Sequence, residues 1–377
     1  MITLPEIIRT ETAAAGVLSF ARFMELALYC PDSGYYETQR DIVGRRGDFY
    51  TSASTGELFG ELLAFQFAGW LEEIKASGPQ LSTLNLIEAG AHDGKLARDV
   101  LRWLQLRRPK LFSELEYCIL EPSARRQEWQ RETLKHFAPH VLWFTDIDNL
   151  KRKTQNAKLD GIIFSNELLD AMPVHRYGWD ARNKKWFEWG VAVAGDKFVW
   201  AKIQSSAVGS QKSEFSLPAS ILHLPASLLN VLPDNYTIET SPDAENWWRA
   251  AAGVLGRGKL LAIDYGLSAD ELFSPARTNG TLRAYFRHHA SDDVLANVGE
   301  QDLTAHVNFS AIQKAGETAG LKTGMFATQT QFLTQILEKT LADRSFGGWT
   351  SARTRQFQTL THPEHLGRAF RVLVQSR

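Results

Sequence analysis

Glu88-Ala89-Gly90-Ala91-His92-Asp93-Gly94 separates a short apolar run from a helical pattern. Gly90 permits a sharp turn, and the start of the following helix offers free N–H groups to an anion such as a carboxylate. The spacing is G-x-x-x-G rather than G-x-G-x-x-G. His92 stands where a middle glycine would admit a pyrophosphate, which disfavours NAD and suits an adenosine joined to an amino acid. A plain strand–helix turn needs glycine too, so both readings stand at this point. Glu121 closes the next apolar run, 27 residues after Gly94. An acidic residue at such a strand end can hydrogen-bond both ribose hydroxyls. Otherwise it is a helix-start glutamate favoured by the dipole. Asp146, after the third apolar run, can accept from an adenine amino group or serve as an ordinary loop aspartate.

A second constellation is Ser165-Asn166-Glu167-Leu168-Leu169-Asp170-Ala171-Met172-Pro173. Glu167 and Asp170 are three apart, so one helical turn would set both on one face. Asn166 brings one acceptor and two donors that can orient a nitrogen nucleophile. A guanidinium keeps its charge, so an enzyme acting on it must hold it with carboxylates. The plainer reading makes Asp170 a cap before Pro173. A third set places Arg283, Tyr285 and His306 in loop-like surroundings, where binding residues concentrate. His288, His289 and His306 lack ligand spacing, so no metal is expected. No G-x-S-x-G elbow and no G-x-x-x-x-G-K-[ST] occurs, against a serine hydrolase and a P-loop NTPase.

These residues need strands to end beside them. Leu84–Ala89, Leu115–Leu120, Val141–Phe144 and Leu159–Ser165 read as strands. Helical patterns lie between them, as over Lys95–Gln105 and Ser123–Phe137. Strand–helix alternation implies right-handed crossovers and a mostly parallel sheet covered on both faces. In such sheets ligands bind beyond the carboxyl ends of the strands. Before this region, Phe20, Phe23, Met24, Ala27 and Leu28 recur at helical spacing, and a longer helix runs from about Thr55 to Lys75. Lys185–Val193 alternates like a strand and Gly195-Asp196 reads as a hairpin turn, giving a small antiparallel insertion at about 174–235. Residues 275–310 read as loop, and the remainder is mostly helical before a strand at Ala369–Gln375. The expected division is a helical region over 1–80 and a Rossmann-like domain over 81–377. Gly44–Ser52 and Ser205–Ser220 are candidate closing loops.

The 377 residues carry 42 Lys plus Arg against 43 Asp plus Glu, a net charge of -1. A whole-chain basic field for nucleic acid is therefore absent. Two cysteines, Cys30 and Cys118, are too few for a disulfide scaffold or a four-cysteine zinc site. No apolar run is long enough for a transmembrane helix. The first residues resemble neither a secretory signal nor an Arg-rich presequence, which sets a cytoplasmic expectation.

Several stretches resemble the MidA-like methyltransferases, whose mitochondrial members assist assembly of respiratory complex I. They are Leu18–Tyr29 with Pro31 and Gly34-Tyr35-Tyr36, Gly47–Ser52 with Phe59-Gly60-Glu61-Leu62, Asn166–Val174, and Asp302–Val307. The resemblance implies a class I methyltransferase fold with S-adenosyl-L-methionine as cofactor. It implies Gly90, Gly94 and Glu121 for the cofactor, with Asn166 and Glu167 lining the transfer site; Glu88, His92, Asp146, Asp48 and Thr51 are further cofactor-side candidates. Asn166, Glu167 and Asp170 would then be the catalytic set, and Arg283, Tyr285 and His306 would shape the substrate cleft. It further implies transfer to a protein arginine, with a respiratory-complex subunit as candidate partner. The chain departs from the family where Ala53, Ser54 and Thr55 replace P-E-I, where His92 replaces a glycine, and where Asn308 replaces an aspartate. The rival readings are a non-catalytic assembly scaffold on the same fold and a nicotinamide-dependent oxidoreductase.

Overall fold

A computed structural model describes residues 2–38, 51–77, 83–155, 157–203, 217–218, 221, 224–286, 289–364 and 366–377. The chain divides into two compact units, each assembled from three segments. One comprises Met1–Gln39, Asp170–Glu245 and Leu267–Ala311; the other comprises Arg40–Leu169, Asn246–Gly266 and Ile312–Arg377.

The second unit is built on strands β1 (Leu84–Ala89), β2 (Leu115–Leu120), β3 (Val141–Phe144), β4 (Leu159–Asn166), β5 (Leu255–Leu267), β6 (Lys322–Thr328) and β7 (Phe370–Ser376). They lie in the order β6-β7-β5-β4-β1-β2-β3. The strands β5, β4, β1, β2 and β3 are parallel neighbours, and β7 runs antiparallel between β5 and β6. Every residue of β1 is buried, as a central strand covered on both faces requires. The switch in direction of winding falls between β1 and β4, where a ligand crevice is expected. Helix Leu58–Ala76 covers the sheet, with Phe67 packed on Phe164 of β4 at a ring separation of 4.9 Å. Its first turn is capped from far along the chain: Leu58 N donates to Oε1 of Gln356 at 3.2 Å. Cys118, in β2, is a free and buried thiol, pushed up to about 12 by burial, in keeping with a core residue.

The first unit carries an antiparallel sheet. His175–Asp180, Lys185–Ala194 and Lys197–Lys202 follow one another as hairpins, Thr237–Thr240 joins one side, and Leu18–Ser19 pairs with Lys185–Ala194. Gly195 turns the second hairpin at a φ of 59°. Tyr177, Trp179, Tyr236 and Ile238 pack with Leu272 and Phe273 beneath it.

Three sequence expectations change. Residues 275–310 are not only loop, because Arg283–Phe286, His289–Ser291 and Asp302–Thr304 form a small antiparallel sheet. Strand β6 lies in a stretch read as helical; its edge position leaves it half-exposed, so its apolar alternation is weak. No helical turn forms over 167–170. Most of Gly44–Ser52 and of Ser205–Ser220 lies outside the described residues. Among the described residues no helix is long and apolar enough to cross a membrane.

Candidate active site

The strand register of the second unit brings distant residues to one edge. Ala89 of β1 is level with Leu120 of β2 and with Ser165 of β4, Leu120 with Phe144 of β3, and Asn166 with Ile263 of β5. Gly90, Glu121, Asn166 and Asp264 therefore emerge side by side at the carboxyl edge, though 174 positions separate Gly90 from Asp264.

The loop after β1 is held in left-handed backbone. Gly90, His92 and Gly94 have φ of 74°, 46° and 81°. That conformation suits glycine and is strained for histidine. Gly90 N still donates to Leu120 O at 3.2 Å, and a Cβ on Gly90 would sit 2.9 Å from Cδ1 of Leu168. Bareness at Gly90 thus lets the loop after β4 approach. His92 O accepts from Nε2 of Gln130 at 3.0 Å. Just before helix Lys95–Arg107, Asp93 Oδ1 accepts from Lys95 N at 3.1 Å, and its Oδ2 pairs with Lys95 Nζ at 2.6 Å. Burial alone would raise its carboxyl, but His92 and Lys95 outweigh burial and hold it well below the usual range. Glu88 behaves oppositely. It lies inside the sheet, accepts from the Tyr117 hydroxyl at 2.5 Å, and is pushed up to about 7 by burial, with Asp93 adding to the rise.

Glu121 is 1% exposed and fixed from several sides. Oε1 accepts from Ser123 N at 3.0 Å and pairs with Arg126 Nε at 2.9 Å, and Oε2 accepts from Nε2 of Gln130 at 3.1 Å. Gln130 thereby ties the glycine loop to the end of β2. Asp146 is exposed beyond β3 and caps helix Ile147–Lys153, accepting from Asn149 N at 2.6 Å. That bond is the first cause holding its carboxyl low. Thr51 is buried and caps the short helix Ser52–Thr55 in a reciprocal box with Ser54. Ser54 is part of that box. Asp48 lies outside the described residues.

The loop after β4 starts with a pair. Asn166 Nδ2 donates to Glu167 Oε1 at 2.9 Å, and Ser52 N donates to the same oxygen at 3.1 Å. Glu167 itself has a φ of 54°. This bend replaces the helical turn expected there: Glu167 N stays on the sheet ladder, donating to Ile263 O at 2.9 Å, and the chain then swings away. Sequence reading missed Asp264. Fully buried, it accepts from Leu168 N and Leu169 N through Oδ2 and from Tyr265 N through Oδ1. The only signal for it was an acid ending an apolar strand.

Asp170, Arg283, Tyr285 and His306 belong to the first unit. Asp170 is buried and its carbonyl accepts from Ala305 N at 3.0 Å. Arg283 is exposed, 3.5 Å from Asp292. Tyr285 pairs in register with Asp302, and burial and that carboxylate raise its hydroxyl. His306 N donates to Thr281 Oγ1 at 3.0 Å. Tyr36, not among the expected site residues, donates to Asp302 Oδ1 at 2.7 Å.

Among the described residues, Nε2 of His92, Oγ of Ser165 and Oδ1 of Asn166 in the second unit are buried polar atoms with no hydrogen-bond partner. Such atoms call for an outside partner. A left-handed glycine loop, a fixed carboxylate at the neighbouring strand and these orphan atoms fit a ligand bearing hydroxyls and charged amino-acid groups. Among the described residues no group of three or more His, Cys, Asp or Glu is placed to hold a metal.

Comparison with known proteins agrees. Residues 62–327 match a family of S-adenosyl-L-methionine-dependent methyltransferases. A crystal structure of a Burkholderia thailandensis protein bound to S-adenosyl-homocysteine is 32% identical with a TM-score of 0.80, covering 99% of this chain and 92% of that one. The Drosophila melanogaster protein named "Protein arginine methyltransferase NDUFAF7 homolog, mitochondrial" is 29% identical over 98% of this chain and 84% of its own length. The Homo sapiens protein named "Protein arginine methyltransferase NDUFAF7, mitochondrial" is 25% identical over 95% of this chain and 79% of its own. These names overturn the cytoplasmic expectation, which rested only on the composition of the first residues; targeting segments are read separately from the fold and their absence from a stretch does not set a compartment. With fold, carboxyl-edge loop and relatives in accord, the chain belongs to the MidA-like family of S-adenosyl-L-methionine-dependent methyltransferases, enzymes of the class I fold.

Proposed function

We propose that this enzyme methylates an arginine side chain of a protein, with a respiratory-complex subunit the first substrate class to test. The observation that carries the reading is the Asn166–Glu167 pair beside the Gly90 loop, in a chain whose relatives over nearly its full length are named protein arginine methyltransferases. S-adenosylmethionine supplies a methyl group already activated on a sulfonium. The chain's part is alignment and electrostatics.

Glu88, Gly90, His92, Gly94, Glu121, Asp146 and Thr51 are the residues of the cofactor side in this proposal, with Asp48, outside the described residues, a further candidate. Gly90 and Gly94 shape the backbone, Glu121 offers a carboxylate to the ribose hydroxyls, and Asn166 and Glu167 face the acceptor. Glu167, held by Asn166 Nδ2 and Ser52 N, presents a fixed carboxylate to a guanidinium. That contact orients one nitrogen lone pair along the line of transfer. Glu167 would also be placed to take the proton that the acceptor nitrogen loses on methylation. Asp170, Arg283, Tyr285 and His306 are the residues proposed for substrate preference.

Glu167→Gln keeps the shape and one acceptor oxygen and removes the charge. Transfer of a labelled methyl group to a recombinant core subunit of a respiratory complex should fall by at least about a hundredfold. Affinity for S-adenosylhomocysteine should stay within a few-fold. An unchanged transfer rate removes Glu167 from the mechanism.

A further inference from the structure

We infer that Asp264 is a positioning residue for the cofactor loop, acting through Leu168. This rests on the reading that the Gly90–Gly94 loop holds the methyl donor. The ladder between β4 and β5 ends where Glu167 N donates to Ile263 O. One residue later the Asp264 side chain takes over. Oδ2 accepts from Leu168 N at 3.1 Å and Leu169 N at 2.8 Å, while Oδ1 accepts from Tyr265 N at 2.8 Å. Asp264 is 0% exposed, so these three bonds form away from competing water.

The clamp sets two things together. It fixes the exit of the chain from Glu167, whose left-handed backbone persists only where its surroundings over-determine it. It also seats Leu168 against Gly90. The space that a Cβ on Gly90 would need is taken by Leu168, with Cδ1 2.9 Å away. Gly90 in turn opens the loop through His92 to Gly94. Asp264 therefore supports the donor loop from behind, one packed residue removed from it. A buried carboxylate whose only task was strand stability would not need to reach across to the neighbouring strand's exit loop.

Asp264→Asn keeps the size of the side chain and replaces one acceptor oxygen with a donor that opposes an N–H. Three measurements decide the matter. Amide hydrogen exchange at Leu168 and Leu169 should quicken by at least about tenfold while the rest of β5 is unchanged. Affinity for S-adenosylhomocysteine, by calorimetry, should weaken by about five- to fiftyfold. The unfolding midpoint should move far less than the affinity. Unchanged exchange and affinity in a folded variant overturn the proposal. If Asp264→Asn does not fold, Leu168→Ala decides: it leaves the clamp in place and empties the seat on Gly90, so weaker S-adenosylhomocysteine binding is required and unchanged binding overturns the proposal. Gly90→Asp tests the underlying reading separately. Binding retained in Gly90→Asp sinks the donor-loop assignment itself. Binding lost in Gly90→Asp but untouched in Asp264→Asn sinks only the role of Asp264.

Discussion

The hydroxyl of Tyr117 donates to Oε2 of Glu88 across 2.5 Å, between two adjacent strands, with Tyr117 at 0% and Glu88 at 2% exposure. A carboxyl buried in this way is easier to keep protonated than charged, which places Glu88 at about 7 instead of the ordinary 4.5.

Stability should therefore fall as pH rises across that interval. The folded state binds the Glu88 proton more tightly than the unfolded state, so the contribution is complete below about 4.5 and lost as pH passes about 7. Asp93 works in the opposite sense, but its carboxyl is held low, so its effect lies at acid pH. Urea unfolding of wild type and Glu88→Gln at pH 5 and pH 8 is the check. The variant should gain up to about 3 kcal/mol relative to wild type between the two. A difference that does not change with pH would show that Glu88 is charged throughout.

Glu121→Ala should cost both stability and cofactor. Arg126 Nε lies 2.9 Å from Oε1 and would lose that carboxylate, and Ser123 N and Gln130 Nε2 would each lose one acceptor. Removing one partner of a buried pair costs about 3–5 kcal/mol. Glu121→Gln keeps most of the hydrogen bonding, so it isolates the ribose contact. Its affinity for S-adenosylhomocysteine should fall at least about tenfold with a smaller loss of stability. Calorimetry alongside thermal unfolding separates the two.

Asp146→Ser retains an N-cap for helix Ile147–Lys153 while removing the carboxylate. Stability should stay within about 0.5 kcal/mol, because serine caps nearly as well as aspartate. If the side chain serves only the bond from Asn149 N, S-adenosylhomocysteine affinity will not move. A loss of tenfold or more would assign it to the adenine.

Gln356→Ala removes the acceptor for Leu58 N at the start of the 19-residue helix Leu58–Ala76. Chemical denaturation should register a loss of about 1 kcal/mol, the ordinary worth of a cap. No change would mean that water replaces Gln356 there.

The sequence by itself determined the local parts. Apolar runs followed by helical spacing marked β1 to β4 and their crossover helices, because side-chain periodicity is a property of neighbours along the chain. Gly90 and Gly94 were legible as turn glycines because left-handed turns favour glycine, and Glu121 as an acid just beyond β2. Position within a sheet was not legible. Nothing local says that Asn166 is level with Ile263, that Asp264 will take the N–H groups of Leu168 and Leu169, or that Gln356 will cap a helix 298 positions earlier. The bend at Glu167 was misread as a helical turn for the same reason. Spacing of three between Glu167 and Asp170 favours a helix only when the backbone N–H groups lack better acceptors, and here Ile263 O and the Asp264 carboxylate supply them. Those acceptors arrive only when β4 and β5 pair, so that part of the site exists only in the folded chain.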